Sequence, residues 1–186
     1  MPCEVGGSGV LSHGVEEEGA SGPHGPGGGS GVAAAPARPA GPRFFTGSFE
    51  HSVDDKNRLV LPAPYRPRLA NGAYLGPLDG CLGLWPEDGF GAVLDKWEDG
   101  IGLGIVSQEA YDAFLAATFE VQPDGQGRIV VAKSLRAYAG LSGPVMVVGA
   151  RHRIAVWARD SWEQRQDSIP DGPNAALRQA ARDLKL

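Results

Sequence analysis

The 186-residue chain is poor in the residues that staple, ligate or anchor, with two cysteines, two methionines and four histidines. Cys3 lies in a Gly/Pro-rich N-terminal stretch and Cys81 far from it, which argues against a stapling disulfide and against a thiolate metal site. His13 and His24 fall in the same stretch, and His51 and His152 have no ligand-spaced neighbour, so neither a metal nor a cofactor is expected. No run of about 18 apolar residues occurs, and no basic segment leads into an apolar one at the N-terminus. These absences lead us to expect a soluble, cytoplasmic protein without a membrane partner. Positive charge is also short, with 17 basic residues against 22 acidic ones and a net of −5. Any contact with a polyanion must therefore come from a local cluster, or from one basic site repeated around an oligomer.

Glycine and proline are abundant, 28 and 15, and unevenly placed. Residues 1–43 are dominated by them and have almost no aliphatic or aromatic side chains. Such a segment cannot bury enough apolar surface to offset its backbone entropy, so a disordered leader is expected there.

The rest of the chain contains a repeat. Residues 49–61, from Phe49-Glu50 through Asp54 and Arg58 to Leu61, align without gaps on residues 119–131, from Phe119-Glu120 through Asp124 and Arg128 to Val131. The offset is 70 throughout, and Arg66 and Arg136 extend it. Cys81-Leu82-Gly83-Leu84-Trp85 then matches Arg153-Ile154-Ala155-Val156-Trp157 at an offset of 72. Two modules of roughly 40 residues would each be marginal alone, so they are expected to share one core.

Each module reads as a strand, a turn and a returning strand, Phe49–Val53 and Arg58–Leu61 in the first copy. The turn Asp54-Asp55-Lys56-Asn57 corresponds to Asp124-Gly125-Gln126-Gly127. Aspartate opens turns by accepting from backbone amides two residues on, and the fourth position needs a residue that tolerates positive φ. Gly127 does so freely, and Asn57 is the next best choice. A short helix is expected over Ala132–Ala139, stopped by Gly140. Its first-copy counterpart contains Pro67, which predicts a shortened or 3₁₀ turn. Hairpins follow in both copies, Ala73–Leu75 with Cys81–Trp85 across Asp79-Gly80, and Pro144–Val148 with Arg153–Trp157 across residues 149–152.

The helices have clearer signals. Pro86 suits a helix start, and Phe90, Val93, Leu94 and Trp97 recur at helical spacing. Ser107 is placed to cap a helix with Tyr111, Phe114 and Leu115 on one face. Asp160-Ser161-Trp162-Glu163 has the spacing of a capping box, and Asn174 is placed to cap a last helix running to Leu186. The aromatic stripes are read as core.

The repeated Asp-x-x-(Gly/Asn)-Arg hairpins, with flanks from Phe45-Thr46-Gly47-Ser48 to Ile154-Ala155-Val156-Trp157, closely resemble the MraZ family. The resemblance covers about three-quarters of the chain, and the duplication of the motif makes it specific. It implies an α+β fold: a pseudo-two-fold, AbrB-type swapped-hairpin β-barrel made of two tandem repeats, with helices after each. The expected organisation is a leader at 1–43, repeats at 48–90 and 118–161, a helical connector at 91–117 and C-terminal helices at 162–186. The resemblance further implies a nucleoid-associated transcriptional regulator of the division and cell-wall genes. Its partners would be double-stranded DNA, read at an operator of short direct repeats, and further copies of the chain in a ring. The motif arginine that contacts DNA maps onto Arg58 and Arg128. Asn57 departs from the motif glycine, and the 43-residue leader is not typical of the family.

An arginine directly after a tight turn projects from the end of a sheet, where its planar fork suits phosphate oxygens or the O6/N7 edge of guanine. Lys56, within the first turn, would reach a phosphate, whereas its counterpart Gln126 is neutral. The bland alternative is that Asp54–Arg58 and Asp124–Arg128 only close their own turns, a contribution of about 0–1 kcal/mol for a surface pair. The pattern does not suit an enzyme with an aspartate dyad from the two halves, because Asp54 and Asp124 sit in polar turns without a following Ser/Thr-Gly. A non-catalytic protein-interaction scaffold is the stronger rival, given the acidic charge and the C-terminal helix.

Overall fold

A computed structural model describes residues 44–186, so the segment read as a disordered leader lies outside the described residues. The described chain runs β1 (Ser48–Ser52), β2 (Arg58–Val60), a 3₁₀ helix (Ala63–Leu69), β3 (Ala73–Leu78), β4 (Cys81–Pro86), α1 (Glu87–Gly102) and α2 (Gln108–Ala116). It continues through β5 (Phe119–Val121), β6 (Arg128–Val130), α3 (Lys133–Tyr138), β7 (Pro144–Ala150), β8 (Arg153–Ala158), α4 (Arg159–Asp167) and α5 (Pro173–Asp183). The class is α+β, with every strand pairing antiparallel.

Both long hairpins form, the first on its expected turn and the second on a shorter turn than the expected residues 149–152. β3 and β4 pair up to Leu78↔Cys81, leaving Asp79-Gly80 as the turn, and Gly80 takes φ +68. β7 and β8 pair up to Ala150↔Arg153, with Arg151 at φ 62 in the turn. These hairpins lie side by side through β4 and β8.

The remaining strands are exchanged. The expected local hairpin of Phe49–Val53 with Arg58–Leu61 does not form as a ladder; it is reduced to its turn, closed by Asp54 N–H to Arg58 O at 2.9 Å, and an isolated bridge, Val53↔Leu59. Instead β1 pairs with β7 of the second repeat, and β5 pairs with β3 of the first. β2 and β6, one from each repeat, pair with each other. Alternation along a strand specifies which face is buried but not which neighbour it pairs with, so the same sequence pattern serves either arrangement.

A closed barrel is not what results. The six-stranded sheet has the order β1-β7-β8-β4-β3-β5 and ends on free edges at β1 and β5, while β2 and β6 make a separate two-stranded ribbon. With β2 and β6 forming a ladder only with each other, β1 and β5 are not joined and the sheet stays open.

One apolar core joins the repeats, as the marginal size of each module requires. Leu59, Leu61, Leu82 and Leu84 from the first copy pack in one cluster with Ile129, Val131, Ile154 and Val156 from the second. All eight are at most 1% exposed, and each such burial stabilises the fold by roughly 1.5–3 kcal/mol. Tyr65, on the 3₁₀ helix, joins this core edge-on to Phe45 and Phe49. Its hydroxyl donates to the carbonyls of Thr46 and Gly47 at 2.9 and 3.0 Å, tying the helix to the chain leading into β1. A second cluster of Trp85, Phe90 and Phe114, with Tyr74 and Trp97 packed against it, fastens α1 and α2 onto β3 and β4.

Helix starts follow the sequence signals in part. α1 begins directly after Pro86, and Ser107 Oγ accepts from Ala110 N–H at the start of α2. The 3₁₀ helix contains Pro67, as expected. The capping box at Asp160–Glu163 is absent: α4 starts two residues earlier, after Ala158 rather than Asp160, and the Glu163 carboxylate is taken by Arg159 Nε at 2.9 Å. Asn174 does not cap α5 either. Gly172, at φ 78, precedes Pro173, which stands in the first turn where its missing N–H costs nothing, and the helix ends at Asp183 rather than Leu186.

Candidate nucleic-acid interface

The two Asp-to-Arg turns have the same construction. In the first, Asp54 Oδ1 accepts from the backbone N–H of Lys56 at 2.9 Å and of Arg58 at 2.8 Å. In the second, Asp124 Oδ1 accepts from Gln126 and Arg128 N–H, both at 2.9 Å. The fourth turn residue donates its N–H to the aspartate carbonyl at 2.8 Å in both copies. It carries positive φ in both, 62 at Asn57 and 73 at Gly127. The aspartate is therefore a turn-former first, as the spacing requires.

The other carboxylate oxygen holds the arginine. Arg58 Nε and Nη2 reach Asp54 Oδ2 at 2.8 and 2.7 Å. Arg128 reaches Asp124 Oδ2 at the same two distances. Two of the five guanidinium N–H groups are used, and the three that remain make no further bond among the described residues. The aspartates respond to this charge. Asp54 is held below its ordinary pKa, by the Arg58 side-chain bond above all, and Asp124 is lowered to about 2 by Arg128.

Pairing of β2 with β6 sets the arginines together. The register is Arg58↔Val130, Leu59↔Ile129 and Val60↔Arg128. Leu59 and Ile129 are fully buried, so alternation turns Arg58, Val60, Arg128 and Val130 to the outer face. Val130 is 61% exposed, and the side chains of Arg58 and Arg128 are 27% and 25% exposed. The two arginines are diagonal neighbours across the ribbon, at a spacing of about 7–8 Å between such positions. The ribbon is closed at both ends by exchanged bonds: Leu61 N–H donates to Gly127 O, and Val131 N–H to Asn57 O, each at 2.8 Å. Each arginine is thus supported by its own turn and by the other repeat's strand.

Lys56 is exposed in the first turn, and its ammonium makes no ion pair among the described residues. Sequence reasoning passed over Arg66 and Arg136 except as markers of the repeat. Arg66 lies against Gly127 so closely that a Cβ there would overlap its Nε and Cδ, and its Nε donates to Leu61 O at 2.9 Å. The Nε of Arg136 is buried without a partner among the described residues. His51 is lowered in pKa by burial and by the charge of Arg66. The signal for Arg66 was the 70-residue offset itself.

Rival chemistries fare poorly in this geometry. Asp54 and Asp124 are exposed and each is bonded to its own arginine, so they share no proton. Burial raises the Cys81 thiol to about 11, outweighing Arg153 and Arg165, so it is no ready nucleophile. Among the described residues there is no cluster of three or more His, Cys, Asp or Glu to hold a metal, and no helix is long and apolar enough to cross a membrane.

Comparison with known proteins agrees with the repeat. A family model described as "MraZ protein, putative antitoxin-like" matches residues 44–100 and 114–184. A "Transcriptional regulator MraZ" from Saccharopolyspora erythraea is 39% identical over 125 residues, covering 66% of this chain and 87% of the relative. Proteins of the same name from Clostridium beijerinckii and Thermomicrobium roseum are 30% and 34% identical, over 68% and 73% of this chain and 90% and 97% of their own lengths. The exchanged repeats, the paired turns and these relatives agree: the chain belongs to the MraZ family.

Proposed function

We propose that the chain is a sequence-specific, double-stranded-DNA-binding transcriptional regulator, of the same kind as its relatives' shared name, "Transcriptional regulator MraZ". The observation that carries this reading is the pair of matching Asp–Arg clamps on the outer face of one two-stranded ribbon. A major groove admits such a ribbon, and a pre-oriented guanidinium fork suits guanine O6/N7 or a phosphate. Arg58 and Arg128 are the reading residues, Lys56 adds a phosphate contact in the first turn, and Asp54, Asn57, Asp124 and Gly127 hold the turns. On this reading the exchanged pairing corresponds to a swapped-hairpin arrangement of two SpoVT-AbrB repeats, at 48–90 and 118–161, with a connector at 91–117 and C-terminal helices at 162–186.

The net charge of −5 weighs against one broad basic surface. Affinity on this reading comes from repetition: a ring of copies presents many arginine pairs to an operator of short direct repeats, in the division and cell-wall gene cluster. The protein then works in the cytoplasm, associated with the nucleoid. Selection of bound fragments from the source genome tests the reading, with Arg58→Ala as control. Enrichment of direct repeats by the wild type alone supports it, and equal, unenriched recovery by both proteins refutes it.

A protein-interaction role has one specific observation in its favour, an apolar hollow of about 610 Å³ lined by Leu78, Trp85, Val93, Trp97 and Phe114. That surface is compatible with DNA binding on the ribbon and carries the inference that follows.

A further inference from the structure

Two apolar surfaces lack a cover among the described residues. The first is the hollow between α1, α2 and the β3–β4 hairpin, bounded on its far side by Leu135 and Tyr138 of α3. Through Val93 and Trp97 it continues into a second hollow of about 420 Å³, lined further by Leu103 and Ile105. Leu103 and Ile105 are themselves 75% and 74% exposed. Together they make one apolar groove along α1. The second surface is α5, which buries no residue. Leu177, Ala180, Ala181 and Leu184 recur at i, i+3, i+4 and i+7, one stripe along the helix, and both leucines are more than 60% exposed.

The charges around these surfaces are opposite. α1 and α2 carry seven acidic residues and a single basic one, Lys96. Beside the leucine stripe of α5 run Arg178, Arg182 and the following Lys185, against one acid, Asp183. An amphipathic helix of 11 residues spans about 16 Å and seats its apolar face in a groove by anchors at this spacing.

We propose that α5 of one copy docks in the α1–α2 groove of a second copy, apolar stripe inward and basic edge against the acidic helices. The inference rests on the oligomeric reading above and supplies its contact. Because the donated surface differs from the accepting one, the contact is head-to-tail, and every copy both gives a helix and receives one.

The test uses the full-length protein and two variants at exposed positions. Leu177→Asp with Leu184→Asp removes the stripe, while Ala113→Arg fills the groove from the exposed side of α2 and repels the basic helix. Circular dichroism confirms that both remain folded, and light scattering after size exclusion gives their masses. Each variant alone is expected to fall from the wild-type mass to that of a monomer. Mixed, they should form a species of twice the monomer mass, since one intact helix then meets one intact groove. Variants that keep the wild-type mass, or that fail to pair when mixed, overturn the docking while leaving assembly standing. A wild type that is itself monomeric overturns the oligomeric reading.

Discussion

Arg66 lies across Gly127, in the space that a Cβ on that glycine would fill, and its Nε bonds the Leu61 carbonyl at 2.9 Å. An arginine of the first repeat thereby braces the turn of the second. The corresponding Nε bond is not made in the other copy. Asn57 occupies the position equivalent to Gly127, and the Nε of Arg136 is buried with no partner among the described residues. The two turns share their hydrogen bonds but not their support.

That difference predicts unequal tolerance. Gly127→Ala should cost about 1–2 kcal/mol for an alanine held at positive φ, and about a further 1–3 kcal/mol as Arg66 loses its carbonyl. Asn57→Gly, with φ already at 62, should change stability by less than about 1 kcal/mol. Urea unfolding of the two variants checks this. Equal midpoints would mean that Arg66 does not brace the turn.

Protonation should release the arginines at low pH. The folded-state pKa values of Asp54 and Asp124 are lowered from 3.8, the latter to about 2. A lowered carboxylate contributes its stabilisation above the unfolded value, and the contribution fades as pH falls through the folded value. The Asp124 clamp should accordingly be complete above about pH 4 and open towards pH 2, and the Asp54 clamp should open below the ordinary carboxylate range. Carboxyl carbon shifts in a nuclear magnetic resonance titration report it directly. A midpoint at 3.8 for Asp124 would mean that the Arg128 bond does not persist in solution.

Tyr65→Phe should remove the hydroxyl that donates to Thr46 and Gly47 while leaving the ring packing against Phe45 and Phe49. The expected cost is about 1–2 kcal/mol, because the two carbonyls lose a buried donor. Thermal unfolding measures it, and an unchanged midpoint would show that water replaces the hydroxyl without loss.

How far the sequence carried the fold depends on the range of the interactions concerned. Asp54, Asn57, Asp124 and Gly127 act within their own turns, and Ser107 acts on the first turn of α2, so their roles were legible from spacing. Pairing of β1 with β7 and of β2 with β6 was not, because alternation at Phe49–Val53 or Arg58–Leu61 names a face rather than a neighbour. The capping box failed where a competing bond, Arg159 to Glu163, took the carboxylate. Arg58 and Arg128 were legible as a repeated pair, but their common face came only from the exchange of strands. The groove along α1 was invisible, since Val93, Trp97 and Phe114 read equally well as buried core.

Lys56 has no charged counterpart, as Gln126 occupies its position in the second turn. Lys56→Gln should weaken DNA binding similarly for specific and nonspecific sequences. It should lower the slope of log K against log salt by about 0.9 for each phosphate that is no longer neutralised. Fluorescence anisotropy over a salt series gives that slope, and an unchanged slope would remove Lys56 from the interface.

The arginine pair is best tested by titrating an operator of direct repeats at one fixed salt concentration with wild type, Arg58→Ala, Arg128→Ala and the double variant. Each single substitution should weaken binding, and the double variant should lose specific binding while keeping the wild-type mass and fold. Unchanged affinity in the double variant would leave the two clamps as ion pairs that merely close their turns, and would contradict the account.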